Sequence, residues 1–140
     1  MLFIDTWGWM AMMDRRDSNH EIATAIALTA LETTGICTTN FVLSETITFL
    51  FSRHGAGGGE DALDRLLDLT KHPEVQLQQI TPDRFQAAIA LRRKYSDKPK
   101  ISFADLTSMA VMKELRIMDV LTKDRHFANV NMGFHLLPEE

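Results

Sequence analysis

Ser102-Phe103-Ala104-Asp105 runs straight into an apolar-periodic segment of Leu106, Met109, Ala110, Val111, Met112 and Leu115. A Ser with an acid three residues on is a capping box, and apolar residues at this spacing mark a helix. The pattern predicts a helix with Ser102 at its mouth and Asp105 in its first turn. Taken alone, Asp105 is a capping acid facing the positive end of that helix. Other acids change the reading. Asp5 follows the apolar start Leu2-Phe3-Ile4, Asp124 follows the apolar run Ile117 to Leu121, and Glu45 interrupts the apolar stretch Phe41 to Phe51. A charge inside an apolar stretch is costly unless something pairs with it. The question is whether these four acids share one site.

Working outward from this helix, short strands are expected near Asp119 to Thr122, at Phe134 to Leu137, and, nearer a sheet edge, at Val75 to Ile80. Thr81-Pro82 is an N-cap with proline at the first helical position, opening a helix to about Tyr95. Asn40 is a cap candidate for a helix that carries Glu45 and ends near Arg53. The glycine-rich His54 to Gly59 then reads as a flexible connection; it lacks the G-K-[ST] ending of a phosphate-binding loop. Leu63, Leu66, Leu67 and Thr70 form an amphipathic helix stopped by Pro73, and Ile36 to Thr39 is strand-like. Ser18 with Glu21 makes a second capping box, for a helix over about 19–33 that Gly35 ends. The dense patch Trp7 to Met13 is a packing helix, with a share in a dimer interface as a further expectation, and Leu2-Phe3-Ile4 is a buried strand.

Strands separated by one or two helices pair in parallel through right-handed crossovers, with helices on both faces. The fold class expected is therefore α/β, a mostly parallel sheet inside helical layers. In such sheets the ligand crevice lies outside the carboxyl ends of the strands. Asp5 and Asp124 follow strands, Asp105 opens the helix feeding one, and Glu45 lies one turn into the helix leaving another, so all four acids converge on one sheet edge.

At 140 residues, 45% of them hydrophobic and 24% charged, the chain is expected to be one soluble domain over 1–140. No apolar run approaches the ~18 residues of a membrane span, and the N-terminus has no basic segment before a long apolar one. A cytoplasmic protein is expected. The single cysteine, Cys37, excludes an internal disulfide and a cysteine-rich zinc site, and reads as a small buried residue. A net charge of -4 gives no global electrostatic footprint for nucleic acid. Bound cations or local basic groups such as Arg53, Lys98, Lys100, Arg125 and His126 must supply the attraction if nucleic acid binds.

Crowded carboxylates raise one another's pKa, and a divalent cation relieves the repulsion. Mg²⁺ or Mn²⁺ suits a site of three or four acids. Such an ion binds a phosphodiester oxygen, activates water and stabilises the leaving oxygen. The residues thus point to metal-dependent phosphodiester hydrolysis.

Phe3-Ile4-Asp5-Thr6, Thr38 to Thr46 with Glu45, Ser102 to Ser108 with Asp105, and Leu121-Thr122-Lys123-Asp124-Arg125-His126-Phe127, in this order, resemble the PIN domain family, and most closely its small VapC-type toxin ribonucleases. The resemblance runs over nearly the whole chain. It implies an α/β/α sandwich and a Mg²⁺- or Mn²⁺-dependent endoribonuclease that hydrolyses RNA and is paired with an antitoxin. By position Asp5, Glu45, Asp105 and Asp124 match the family's catalytic, metal-binding quartet, and Thr6, Asn40 and Thr122 fall where residues orient those acids. It also implies a homodimer and an antitoxin whose C-terminal tail enters the site. Trp7-Gly8-Trp9 departs from the family pattern beside the first acid, which bears on the substrate groove. The alternative reading is a catalytically weak PIN-fold module that binds RNA or protein. A phospho-aspartyl enzyme is disfavoured, because Asp5-Thr6-Trp7 offers no paired-acid pattern.

Overall fold

The computed structural model describes residues 1–139. In chain order its elements are β1 (Leu2–Ile4), α1 (Thr6–Met13), α2 (His20–Glu32), β2 (Ile36–Thr39), α3 (Asn40–Thr70), β3 (Val75–Gln78), α4 (Pro82–Lys94), α5 (Phe103–Leu115), β4 (Asp119–Leu121), α6 (His126–Asn129) and β5 (His135–Leu137). The strands form one sheet in the order β3-β2-β1-β4-β5, every neighbouring pair parallel. This is the expected α/β class. β1 lies at the centre because Phe3 and Ile4 have nothing polar to expose; both are fully buried. Two successive crossovers lead outward from β1 to β2 and β3. The chain then returns across the sheet to β4, and right-handed connections place that return on the other face.

Local chemistry explains most element ends. Ser102 Oγ accepts the Asp105 N–H at 3.0 Å, and Thr81 Oγ1 accepts the Arg84 N–H at 3.3 Å, so both expected caps form. Two others differ. Asn19 rather than Ser18 occupies the cap position of α2, because Asp17 Oδ1 accepts the Asn19 N–H at 2.8 Å and turns the chain one residue later. At α3 the cap is Thr39, whose Oγ1 accepts the Val42 N–H at 3.1 Å.

The glycine-rich segment is a correction to the expected flexible connection. Helix α3 runs from Asn40 to Thr70, interrupted only at Gly55, where φ is 70° and ψ is -173°. That backbone conformation is open to glycine, so the break falls there and the helix resumes at once. The Trp7 to Met13 segment packs as expected: Trp9 and Ala11 are fully buried and Met10, Met12 and Met13 nearly so, while Trp7 stays half-buried. Among the described residues no helix is long and apolar enough to cross a membrane.

Candidate active site

Gly8 sets the entrance of α1. A Cβ there would stand 2.8 Å from the Leu121 carbonyl oxygen and 2.9 Å from Ile4 Cγ2. Only glycine lets the first turn of α1 lie against the end of β4. As a result Asp5, at the N-cap position of α1, faces Thr122, just past β4. Thr122 Oγ1 donates to Asp5 Oδ2 at 3.0 Å and accepts the Asp124 N–H at 3.0 Å. Asp124 Oδ1 in turn accepts the His126 N–H at 2.9 Å, a two-residue Asx turn. Across the groove, Thr6 Oγ1 donates to Glu45 Oε1 at 2.7 Å. Asp105 projects from the first turn of α5. All four acids line one groove of about 530 Å³.

Asn40 lies elsewhere. Its side-chain oxygen accepts the Ile80 N–H at 2.7 Å, tying the start of α3 to the segment after β3. Here the expectation that it orients the acids is corrected, since a backbone donor left free at the end of β3 takes its carbonyl.

The electrostatics are those of a crowded acidic centre. Burial pushes the Asp5 carboxyl up to about 6, against the pull of its hydrogen bonds from Thr6 and Thr122. Burial, then the charges of Asp5 and Asp124, push Asp105 up to about 8. These shifts outweigh the helix N-terminus, which favours the ionised form. Near neutral pH the centre therefore holds a proton unless a cation replaces it.

His126, which the sequence offers only as a local basic group, stands among the acids. His126 Nδ1 lies 3.2 Å from Asp124 Oδ1 and 3.8 Å from Asp105 Oδ2, yet it is buried with no hydrogen-bond partner. Asp105, Asp124 and His126 each offer one ligand atom within 4.8 Å of the others. The signal available was Asp124 followed two residues on by His126, the spacing of an Asx turn that folds the ring back toward the acid. Carboxylate oxygens with one orphaned imidazole nitrogen make a donor set that fits a divalent cation, which would satisfy all of them together.

The site is thus that of a parallel α/β protein whose four acids gather around one groove. The chain belongs to the PIN domain family, whose family model matches residues 2–132. Among curated proteins it is 31% identical over 128 residues to the 23S rRNA-specific endonuclease VapC20 of Mycobacterium tuberculosis, covering 91% of this chain and 92% of that protein. The crystal structure of M. tuberculosis VapC20, described as a sarcin-ricin loop cleaving toxin, superposes with a TM-score of 0.77 at 27% identity, covering 94% of this chain and 95% of that one. VapBC2 from Rickettsia felis, solved bound to a promoter DNA fragment, shares the fold at a TM-score of 0.74 and 12% identity, covering 97% of each chain.

Proposed function

We propose that this protein is a metal-dependent endoribonuclease, the toxin of a toxin-antitoxin pair. The observation that carries the reading is the gathering of Asp5, Glu45, Asp105 and Asp124 around one groove, with two carboxyls pushed far above their ordinary range. Similarity to a 23S rRNA-specific endonuclease over most of both chains supports RNA as the substrate.

In this reading Asp5, Glu45, Asp105 and Asp124 would hold Mg²⁺ or Mn²⁺, with His126 beside them. The ion supplies positive charge at the scissile phosphate and lowers the pKa of bound water. The chain's own residues do the rest. Thr122 fixes Asp5 and the Asp124 loop in one orientation, and Thr6 fixes Glu45. Asp5 and Asp105 would have to be deprotonated to hold the cation, so binding should strengthen as pH rises from about 6 to about 8. Glu45, less buried than Asp5, faces the groove where it can take a proton from the attacking water. Lys100 and Lys123 line the same groove and attract the RNA backbone. An antitoxin and a homodimer belong to the same proposal, on the strength of the family.

The test is cleavage of structured RNAs, ribosomal RNA included, with Mg²⁺, with Mn²⁺ and with EDTA, beside Asp5→Asn. Metal-dependent cleavage that the variant lacks is expected. Equal behaviour of the two proteins would sink the site assignment.

A further inference from the structure

Along the first part of α3, Glu45, Phe49 and Arg53 recur every four residues, and all three line the acidic groove. Residues four apart share a helix face, with about 6 Å of rise per step. An acid, an aromatic ring and a guanidinium thus follow one another outward from the centre. Phe49 is 45% exposed, whereas Val42, Thr46 and Leu50 on the adjoining stripe of the helix are buried. Arg53 is half exposed and loosely held, 3.8 Å from Asp14 and 4.0 Å from Asp17. On the groove's other side the Trp7 ring already carries the Lys123 ammonium, 5.9 Å from its centroid. Phe49 is therefore the aromatic surface left open beside the acids.

An open ring with a cation beside it is how proteins hold unpaired nucleotides: the base stacks on the ring and the phosphates follow the charge. A duplex offers no free base face to such a ring. Arg53, Lys100 and Lys123 around the groove suit the phosphates of an unpaired strand. We propose that Phe49 and Arg53 form a subsite for one unpaired nucleotide next to the scissile phosphate, its base stacked on Phe49 and its outer phosphate against Arg53. The subsite rests on the ribonuclease reading and sharpens it by naming the two residues that take the base and the phosphate beside the cut.

Binding is read with short oligouridylates carrying one 2-aminopurine at successive positions, in the cleavage-silent Asp105→Asn background with Mg²⁺. At one position the fluorescence should be quenched on binding. Phe49→Ala should abolish that quenching and weaken binding roughly tenfold, and Phe49→Tyr should restore both. An abasic site at that position should make Phe49→Ala cost nothing further. Arg53→Gln should weaken binding and flatten its dependence on salt. A folded Phe49→Ala protein that keeps affinity and quenching overturns the subsite, assigns the ring to a protein contact, and leaves the ribonuclease reading intact. A wild-type protein that neither binds nor cleaves any RNA overturns both.

Discussion

Thr38, in β2, and Asp5, just past the end of β1, each anchor a buried polar cluster beside the central strand, and the two are built on opposite terms. Thr38 Oγ1 accepts the Trp9 indole N–H at 3.0 Å and donates to the Ile4 carbonyl at 3.1 Å, with Thr38 and both its partners fully buried. Each polar group has its match and no charge is present. Around Asp5 four acids crowd one groove, Asp105 is pushed up to about 8, and His126 Nδ1 has no hydrogen bond. Satisfied neutral groups fix the register of the core. Crowded, under-matched groups weaken the fold and persist where a ligand completes them.

The largest effect should come from relieving the crowded cluster. Folding raises the pKa of Asp5 and Asp105 above the ordinary 3.8, so it disfavours their ionised forms. Their contribution to stability is then most favourable below pH about 4 and declines as pH rises toward about 8. In EDTA at pH 8, Asp105→Asn should raise stability by about 1 to 3 kcal/mol while abolishing cleavage. Thermal melts across this pH range check it: the variant should show a flatter profile than the wild type, and added Mg²⁺ should stabilise the wild type more. A variant that melts below the wild type at pH 8 in EDTA would contradict the account of the cluster.

How much of this was legible in the sequence differs from residue to residue. The parallel sheet and the convergence of Asp5, Glu45, Asp105 and Asp124 follow from strand spacing and crossover handedness, which are rules about chain direction. Ser102 and Thr81 cap as expected because capping is local. Asn40 and His126 escaped for the reverse reason. Asn40 bonds forty residues away to the Ile80 N–H, and His126 matters only because the chain turns at Asp124 and swings its ring toward Asp105. The continuity of α3 through its glycines was hidden too, since glycine content argues for a loop while a single left-handed residue suffices for the bend. The stripe of Glu45, Phe49 and Arg53 was visible as spacing, but its exposure was not.

A change at the satisfied cluster should act in the opposite way. Thr38→Val keeps the shape and removes both hydrogen bonds, leaving the Trp9 N–H buried and unmatched. Such orphaned groups cost about 1 to 3 kcal/mol. The loss should appear equally at pH 5 and pH 8 and with or without Mg²⁺ in denaturant titrations, and cleavage per folded molecule should not change. Adding Trp9→Phe should cost less than the two separate losses combined, because the indole donor is then no longer stranded. A loss that varied with metal would mean the two clusters are coupled, and the contrast between them would fail.

The smallest effect falls at Thr6, which stands between the two kinds of cluster. It is a neutral hydroxyl, buried like Thr38, yet its one hydrogen bond at 2.7 Å goes to the charged Glu45. Thr6→Val keeps the side chain's volume at the start of α1, and the freed Glu45 oxygen, on a partly exposed residue, can turn to water. Stability should therefore change by less than about 1 kcal/mol. What is lost is orientation: a carboxylate free to rotate presents its oxygens to a cation only part of the time. Affinity for Mn²⁺ measured by calorimetry should fall about tenfold, the lower end for residues that orient metal ligands. Thr6→Ser, which restores the hydroxyl without the methyl, should recover it. If Thr6→Val instead unfolds the protein as Thr38→Val weakens it, Thr6 belongs with the architecture of the core, and Glu45 is held in place by helix α3 alone.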